Sequence, residues 1–400
     1  MGQESVQKVN KMDNIRNLIL VGAMMFVFGV LTFMCWFKEE DRFSESERRV
    51  LKSFPEISVE TVMNGEFMTD FESYSLDQFP FRDGFRSIKA LTSYGIFGKK
   101  DNNKVYLADG HLSKMEYPMQ PKMLDHAAMK IEEIYNMYLK EQGSACYFSI
   151  VPDKNFFLAK ENGYLSLDYE ELFFYMKEKI NFAKYIDISG FLSLEDYYKT
   201  DTHWRQEKIQ DVAQHLKDEM LKQNGNKNDE GEMAGDREKT SIAEVSNGEY
   251  EIKKLERPFY GVYYGQAALP VAADELYYLD SEVLRQCKVT SYDTGKAEDT
   301  VIYNMEKANG NDAYELFLSG TSALQIIENP NAVAERELVV FRDSFGSSLI
   351  PLLVDSYSKI TVIDTRYVQS KMVGNLVDFH GQDTLFIYST VILNNSMSLR

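Results

Sequence analysis

Three patterns of apolar and polar positions succeed one another along this chain. The first is continuous. Leu18 to Phe37 carries no charged side chain, and a run of that length crosses a bilayer as a helix. The second pattern recurs at helical spacing. Phe67, Phe71, Tyr74 and Phe79 give residues 59–99 an apolar face, with Pro80 and Gly84 as punctuation. Leu124, Ala128, Ile131, Ile134, Tyr135 and Tyr138 do the same from Pro121 to Glu141, closed by Gly143. Residues 168–182 predict another helix, and Ile209, Val212, Ala213, Leu216 and Met220 share one face of Glu207 to Lys222.

The third pattern is the short apolar run bounded by turn residues, which marks a buried strand. Ala145 to Val151 stops at Pro152-Asp153-Lys154, and Tyr185 to Ile188, Glu337 to Arg342, Lys359 to Asp364 and Thr384 to Leu393 follow the same form. Lys104 to Leu112 predicts a hairpin around Asp109-Gly110. Residues 250–330 read as strands and turns, with strands at Phe259 to Tyr264, Glu275 to Leu279 and Val301 to Tyr303. Within that region, Tyr314 to Thr321 reads as a strand running into a turn. Long helices followed by buried strands predict an α/β domain with a parallel sheet.

Charge orients the first segment. Lys8, Lys11 and Arg16 precede the apolar run, while Glu39, Glu40 and Asp41 follow Lys38. The basic side stays cytoplasmic, so residues 38–400 are expected outside the membrane. The run is long for a signal peptide and no Ala-x-Ala site closes it, which favours an uncleaved anchor. Met34 is too bulky to precede a lipidated Cys35. The resulting division is a cytoplasmic tail 1–17, an anchor 18–37, a polar stalk 38–58, a helical and hairpin lead-in 59–118, and an α/β domain 119–400. Residues 223–241 hold almost no apolar side chain and read as a flexible insertion in that domain.

Composition excludes some functions. Apolar residues make up 44% and aromatics 13% of the chain, ample for a core, and the net charge of −18 repels nucleic acid. Cys146 falls in an apolar run, so it and Cys287 read as free thiols rather than a disulfide. There is no His-rich cluster, no Cys-x-x-Cys and no glycine-rich phosphate loop. No metal and no cofactor is expected.

Two segments carry candidate chemistry. In Thr200-Asp201-Thr202-His203-Trp204, residues i and i+2 of an extended loop project to one side, so Asp201 can fix the His203 ring. A solvated loop histidine fits the same spacing. In Arg342-Asp343-Ser344-Phe345-Gly346, an apolar strand breaks sharply into a helix, the layout of a nucleophile elbow, although the pentapeptide is not Gly-x-Ser-x-Gly. Capping of the helix by Ser344 or Asp343 fits equally well. Pro351 is tolerable only in the first turn of that helix.

Taken together, Tyr198 to Trp204, Phe341 to Gly346 and Val362-Ile363-Asp364-Thr365-Arg366-Tyr367 resemble the DHHW protein family of bacteria. Ser44 to Arg49 with Phe54-Pro55, and Asp77 to Asp83, resemble it too. That family is related to the SGNH-hydrolase-like alginate O-acetylation proteins AlgX and AlgJ. The resemblance implies an SGNH-hydrolase-like three-layer α/β/α domain outside the membrane. It also implies Ser344 as nucleophile, His203 as base and Asp201 as its orienting carboxylate. Ser344 and Gly320 would bind the oxyanion, and Trp204 and Arg342 the substrate. Thr202 stands where the family name has one of its two His, and Thr321 follows Gly320 where Asn is expected. The implied activity is an O-acetyltransferase or acetylesterase acting on a cell-surface polysaccharide, with a membrane O-acyltransferase supplying acetyl groups. The alternatives are a non-catalytic surface protein that binds or assembles cell-envelope glycan, and a membrane-tethered scaffold in a secretion complex.

The polar composition of residues 223–241 leaves them little surface to bury. Replacing them with a short linker is expected to leave the thermal midpoint nearly unchanged, as followed by circular dichroism. A drop of about 2–4 °C or more, the equivalent of about 1 kcal/mol in a large domain, would show that they pack on the domain.

Overall fold

The computed structural model describes residues 2–44, 46–225, 250–293 and 295–400. All but the first three residues of the polar insertion fall outside them. The chain divides into two compact units, Met1–Lys99 and Lys100–Arg400.

In the first unit the helix Gly2–Phe37 contains one stretch, Asn14–Phe37, long and apolar enough to cross a membrane. Residues 59–99 form the expected helices, Val59–Met63, Glu66–Asp77 and Arg82–Gly95. The polar segment ahead of them is tied down. Phe43–Ser44 pairs antiparallel with Arg49–Val50, and the buried Asp77 accepts from Arg49 Nη1 at 2.8 Å and Lys52 N at 3.0 Å. The Gln78 side chain bonds both backbone groups of Asp41, at 2.9 Å each. Phe54 meets Phe67, Phe71 and Tyr74 edge-on. The Asp77–Asp83 stretch thus serves packing within this unit.

The second unit opens with a hairpin, Val105–Ala108 and His111–Lys114. Its turn residues Asp109 and Gly110 have φ of 46° and 76°, the left-handed pair that a two-residue hairpin needs. Eight strands then build one sheet: β1 Cys146–Val151, β2 Lys184–Tyr185, β3 Lys288–Ser291, β4 Glu298–Thr300, β5 Leu324–Glu328, β6 Glu337–Arg342, β7 Lys359–Ile363 and β8 Asp383–Ser389. Their spatial order is β4-β3-β5-β7-β6-β8-β1-β2. The five strands from β7 to β2 are parallel. The other three join antiparallel at the β7 edge, so the sheet is mostly rather than wholly parallel.

Strand alternation explains the three layers. Leu338, Val340, Leu385, Ile387, Tyr147 and Val151 face one side, against Val212, Leu216 and Met220 of the helix Gln210–Gly225 and against Leu352 and Leu353. Val339, Phe341, Phe386, Tyr388, Phe148 and Ile150 face the other, against the helices Pro121–Ile134 and Tyr169–Lys179. Both faces of the central strands are covered, which is why they read as unbroken apolar runs. Cys146 lies buried in β1; it, Cys35 and Cys287 are free thiols.

Several elements differ from the sequence pattern for local reasons. The run after Thr384 splits at Ser389, whose hydroxyl caps the helix Thr390–Asn394. The strand at Tyr185 is cut short because Asp187 accepts from Ser189 N at 2.9 Å and turns the chain. Phe259 to Tyr264 is not a strand: Phe259 makes one bridge to Asp274 and Val262–Ala267 is a helix. Tyr314 sits in the 3₁₀ turn Ala313–Leu316, capped by Asp312.

Phe386 is fully buried and stacks on Phe341 with centroids 4.8 Å apart. Phe386→Ala is expected to cost about 3–5 kcal/mol of stability, read as a lowered urea midpoint at unchanged slope.

Candidate active site

The parallel strands deliver their C-terminal ends to one edge of the sheet, where such folds carry ligand and catalytic groups. At the end of β6 the chain turns under the control of Asp343. That buried carboxylate accepts from Phe345 N at 3.0 Å and from Ser389 N, the last residue of β8, at 2.8 Å. The helix Gly346–Leu349 follows with no side-chain cap on its own first turn, so Ser344 does not fill the capping role that the spacing allowed, while Asp343 holds the chain one residue before the helix begins. Gly346 is required here, because a Cβ at that position would lie 2.8 Å from the Cβ of Arg342. Pro351 falls in the first turn of the 3₁₀ segment Ile350–Ser356, where its missing N–H costs nothing.

Ser344 is left half-buried at the turn, and its Oγ lies 2.8 Å from His203 Nε2. His203 Nδ1 lies 2.6 Å from Asp201 Oδ1. Asp201 is fully buried, and its Oδ1 also accepts from His203 N at 3.1 Å while its Oδ2 accepts from Val262 N at 2.8 Å. With the carboxylate ionised and accepting from Nδ1–H, Nε2 is the acceptor for the serine hydroxyl. The imidazole cannot tip away: the Tyr314 ring stacks on it with centroids 3.9 Å apart and planes 8° apart, and Phe345 lies at 5.0 Å. The Tyr314 hydroxyl is held by Ser348 Oγ at 2.9 Å, and burial pushes its pKa up.

The Asp201 loop is fastened by segments far away in sequence. Thr200 O accepts from Tyr263 N and Tyr264 N at 3.0 and 3.2 Å, and Thr200 Oγ1 accepts from Gly261 N at 2.9 Å. Asp274 accepts from Lys199 N and Thr200 N, each at 2.7 Å. Gly261 passes so close that a Cβ on it would stand 2.3 Å from Asp201 Cα.

Residues 243–363 match the DHHW protein family. No curated protein matches this sequence. Among solved structures, Bacillus cereus PatB1 is similar at 20% identity with a TM-score of 0.56, over 72% of this chain and 96% of that one. PatB1 with a sulfonyl adduct is similar at 18% identity with a TM-score of 0.55, over 72% and 97%. A DHHW family protein from Eubacterium siraeum is similar at 20% identity with a TM-score of 0.53, over 75% and 95%. At these identities the likeness is one of fold, and it agrees with the mostly parallel, three-layered sheet described above.

Of the other expected site residues, Trp204 and Arg342 are fully buried, and the amide of Gly320 is taken. Trp204 is fully buried, and its Nε1 donates to Phe345 O at 3.1 Å and to Ser348 Oγ at 3.0 Å. It supports the serine turn from beneath rather than meeting substrate. Arg342 is also fully buried, with Nη1 donating to Asp343 O at 3.3 Å and Nη2 to Gly320 O at 3.4 Å. It props the same turn. The Gly320 amide is already committed to Phe317 O at 3.0 Å, so it is not a free oxyanion donor. The Ser344 amide has no hydrogen-bond acceptor among the described residues.

Sequence reasoning missed Tyr314, Gly261, Val262 and Asp274. The one local signal was Gly261 interrupting an aromatic run, which a strand would not favour. Gly261→Ala is expected to displace the Asp201 loop. Turnover should fall by about 10²-fold, the usual cost of a 1 Å misplacement, and the thermal midpoint should drop as well. An alanine variant with full activity would mean that the loop yields without cost.

Proposed function

We propose that the external domain transfers or hydrolyses acetyl esters on a cell-surface polysaccharide, with Ser344 as nucleophile, His203 as general base and Asp201 as the carboxylate that orients it. The observation that carries this reading is the hydrogen-bonded series Asp201–His203–Ser344, in which the serine alone is half-buried and the carboxylate is dry. In this reading Ser344 Oγ attacks the acyl carbonyl as its proton passes to His203 Nε2. The resulting imidazolium is stabilised by Asp201 and by the Tyr314 face. The free Ser344 amide donates to the developing oxyanion. His203 then returns the proton to the leaving group, and the acyl-serine is resolved by a sugar hydroxyl or by water, regenerating the serine. The polysaccharide acceptor, and a membrane O-acyltransferase as acetyl source, follow from the sequence resemblance. Residues 18–37 would anchor the domain, with the basic N-terminal tail inside.

The test is acyl-ester turnover with p-nitrophenyl acetate and with O-acetylated polysaccharide. Ser344→Ala and His203→Ala are each expected to remove nearly all activity, by several orders of magnitude, and Asp201→Asn somewhat less. A sulfonyl fluoride, chosen with the PatB1 adduct in mind, should label wild type and not Ser344→Ala, as read by intact mass. Equal turnover and labelling in wild type and Ser344→Ala would favour the glycan-binding alternative instead.

A further inference from the structure

Lys154 is a buried cation that the mechanism above does not use. It follows β1 as the first residue of the helix Lys154–Asn162, whose cap is Asp153, and it is 2% exposed. Its Nζ donates to Tyr198 O at 2.8 Å and Lys199 O at 3.4 Å, and it lies 5.0 Å from the centre of the Tyr263 ring. These two carbonyls immediately precede Thr200 and Asp201. The opposite side of the same peptide groups is held by Asp274, through Lys199 N and Thr200 N. The loop that carries Asp201 and His203 is thus pinned between a cation on its carbonyls and an anion on its amides.

The titratable groups facing Lys154 are Asp153 on its own helix cap, Asp201 and Asp274 across the loop, and His111 on the hairpin. Among the described residues, the hydrogen bonds of its Nζ go to the carbonyls of Tyr198 and Lys199. Asp153 is occupied by Asn155 N, Tyr169 Oη and Thr390 Oγ1, at 2.7, 2.8 and 2.9 Å. A dry ammonium whose hydrogen bonds go to carbonyls is costly to keep. An apolar side chain of similar length would fill the same volume without that cost, so packing alone does not account for a lysine.

We propose that Lys154 is a positioning residue for the Asp201–His203 pair: its charge fixes the carbonyls of Tyr198 and Lys199, the two that lead into Thr200 and Asp201. This rests on the proposed function of Ser344, His203 and Asp201. Burial lowers the Lys154 pKa to about 7. Below that value the ammonium is present and the pair is set; as pH rises through it the charge is lost, and turnover falls.

The experiment is the pH profile of kcat and KM for acyl-ester turnover, after subtraction of non-enzymatic hydrolysis, on the full detergent-solubilised chain. Wild type is expected to lose activity on the alkaline side near neutrality. K154R keeps its charge at every pH and is expected to lack that alkaline limb, whatever its absolute rate. K154M is expected to lower kcat by about 10²-fold at little changed KM. A purely structural role would lower the thermal midpoint and leave the pH profile in place. Wild-type activity that stays flat from about pH 6 to pH 9 overturns the proposal even if both variants fail to fold. So does folded K154M with wild-type kcat. If Ser344→Ala retains turnover, the active-site reading itself has failed; if it is inactive while the Lys154 profiles do not differ, only the role of Lys154 has.

Discussion

A carboxylate shut away from water has to find its hydrogen bonds in the protein, and Asp201 meets that demand in a way that organises its surroundings. One oxygen takes the backbone and ring N–H of His203, and the other takes the amide of Val262. The first two bonds fix the imidazole plane and leave Nε2 to the serine. The third fastens the loop to a segment about sixty residues later in the chain. Gly261 can have no side chain because this approach is so close. Thr200, Asp274 and Lys154 satisfy the backbone groups that the approach would otherwise strand.

Ser344 depends on the same logic from the other side. Its turn leaves β6 over the buried Asp343, which reaches across to the end of β8, so the serine is placed by two adjacent parallel strands at once. Trp204, one residue beyond the histidine, bonds the carbonyl of Phe345, one residue beyond the serine. The histidine loop and the serine turn are therefore joined beneath the site as well as at the Nε2–Oγ contact. Buried Trp204 and Arg342 lie beneath as supports, and the aromatic faces of Tyr314 and Phe345 restrict the imidazole of His203.

Much of the frame could be read along the chain. The apolar runs of β1, β6, β7 and β8 are unbroken because helices cover both faces of the sheet, and the amphipathic helices that cover it announce themselves by period. Asp-x-His and the strand-to-helix serine were visible as short local patterns. The stretch from 250 to 330 was less legible. Its residues are aromatic and apolar, which suggests strands, yet Phe259, Tyr263 and Tyr314 are buried because they pack around the Asp201 loop and not because they pair in a ladder. Propensity gives no hint of that, since burial was supplied by a distant segment.

By itself the sequence determined the apolar N-terminal helix, the order of the five parallel strands and the helices that cover them, and the three residues able to form an Asp–His–Ser series. These follow from covalent spacing and from the periods of helix and strand, which are local properties. Only the tertiary structure decided that His203 Nε2 stands 2.8 Å from a serine 141 positions away, that Ser344 does not cap its helix, and that the Gly320 amide is already taken. It also decided that three strands close the sheet antiparallel at one edge. Each of these turns on which backbone group reaches which partner across the fold, and a linear pattern of side chains does not contain that information.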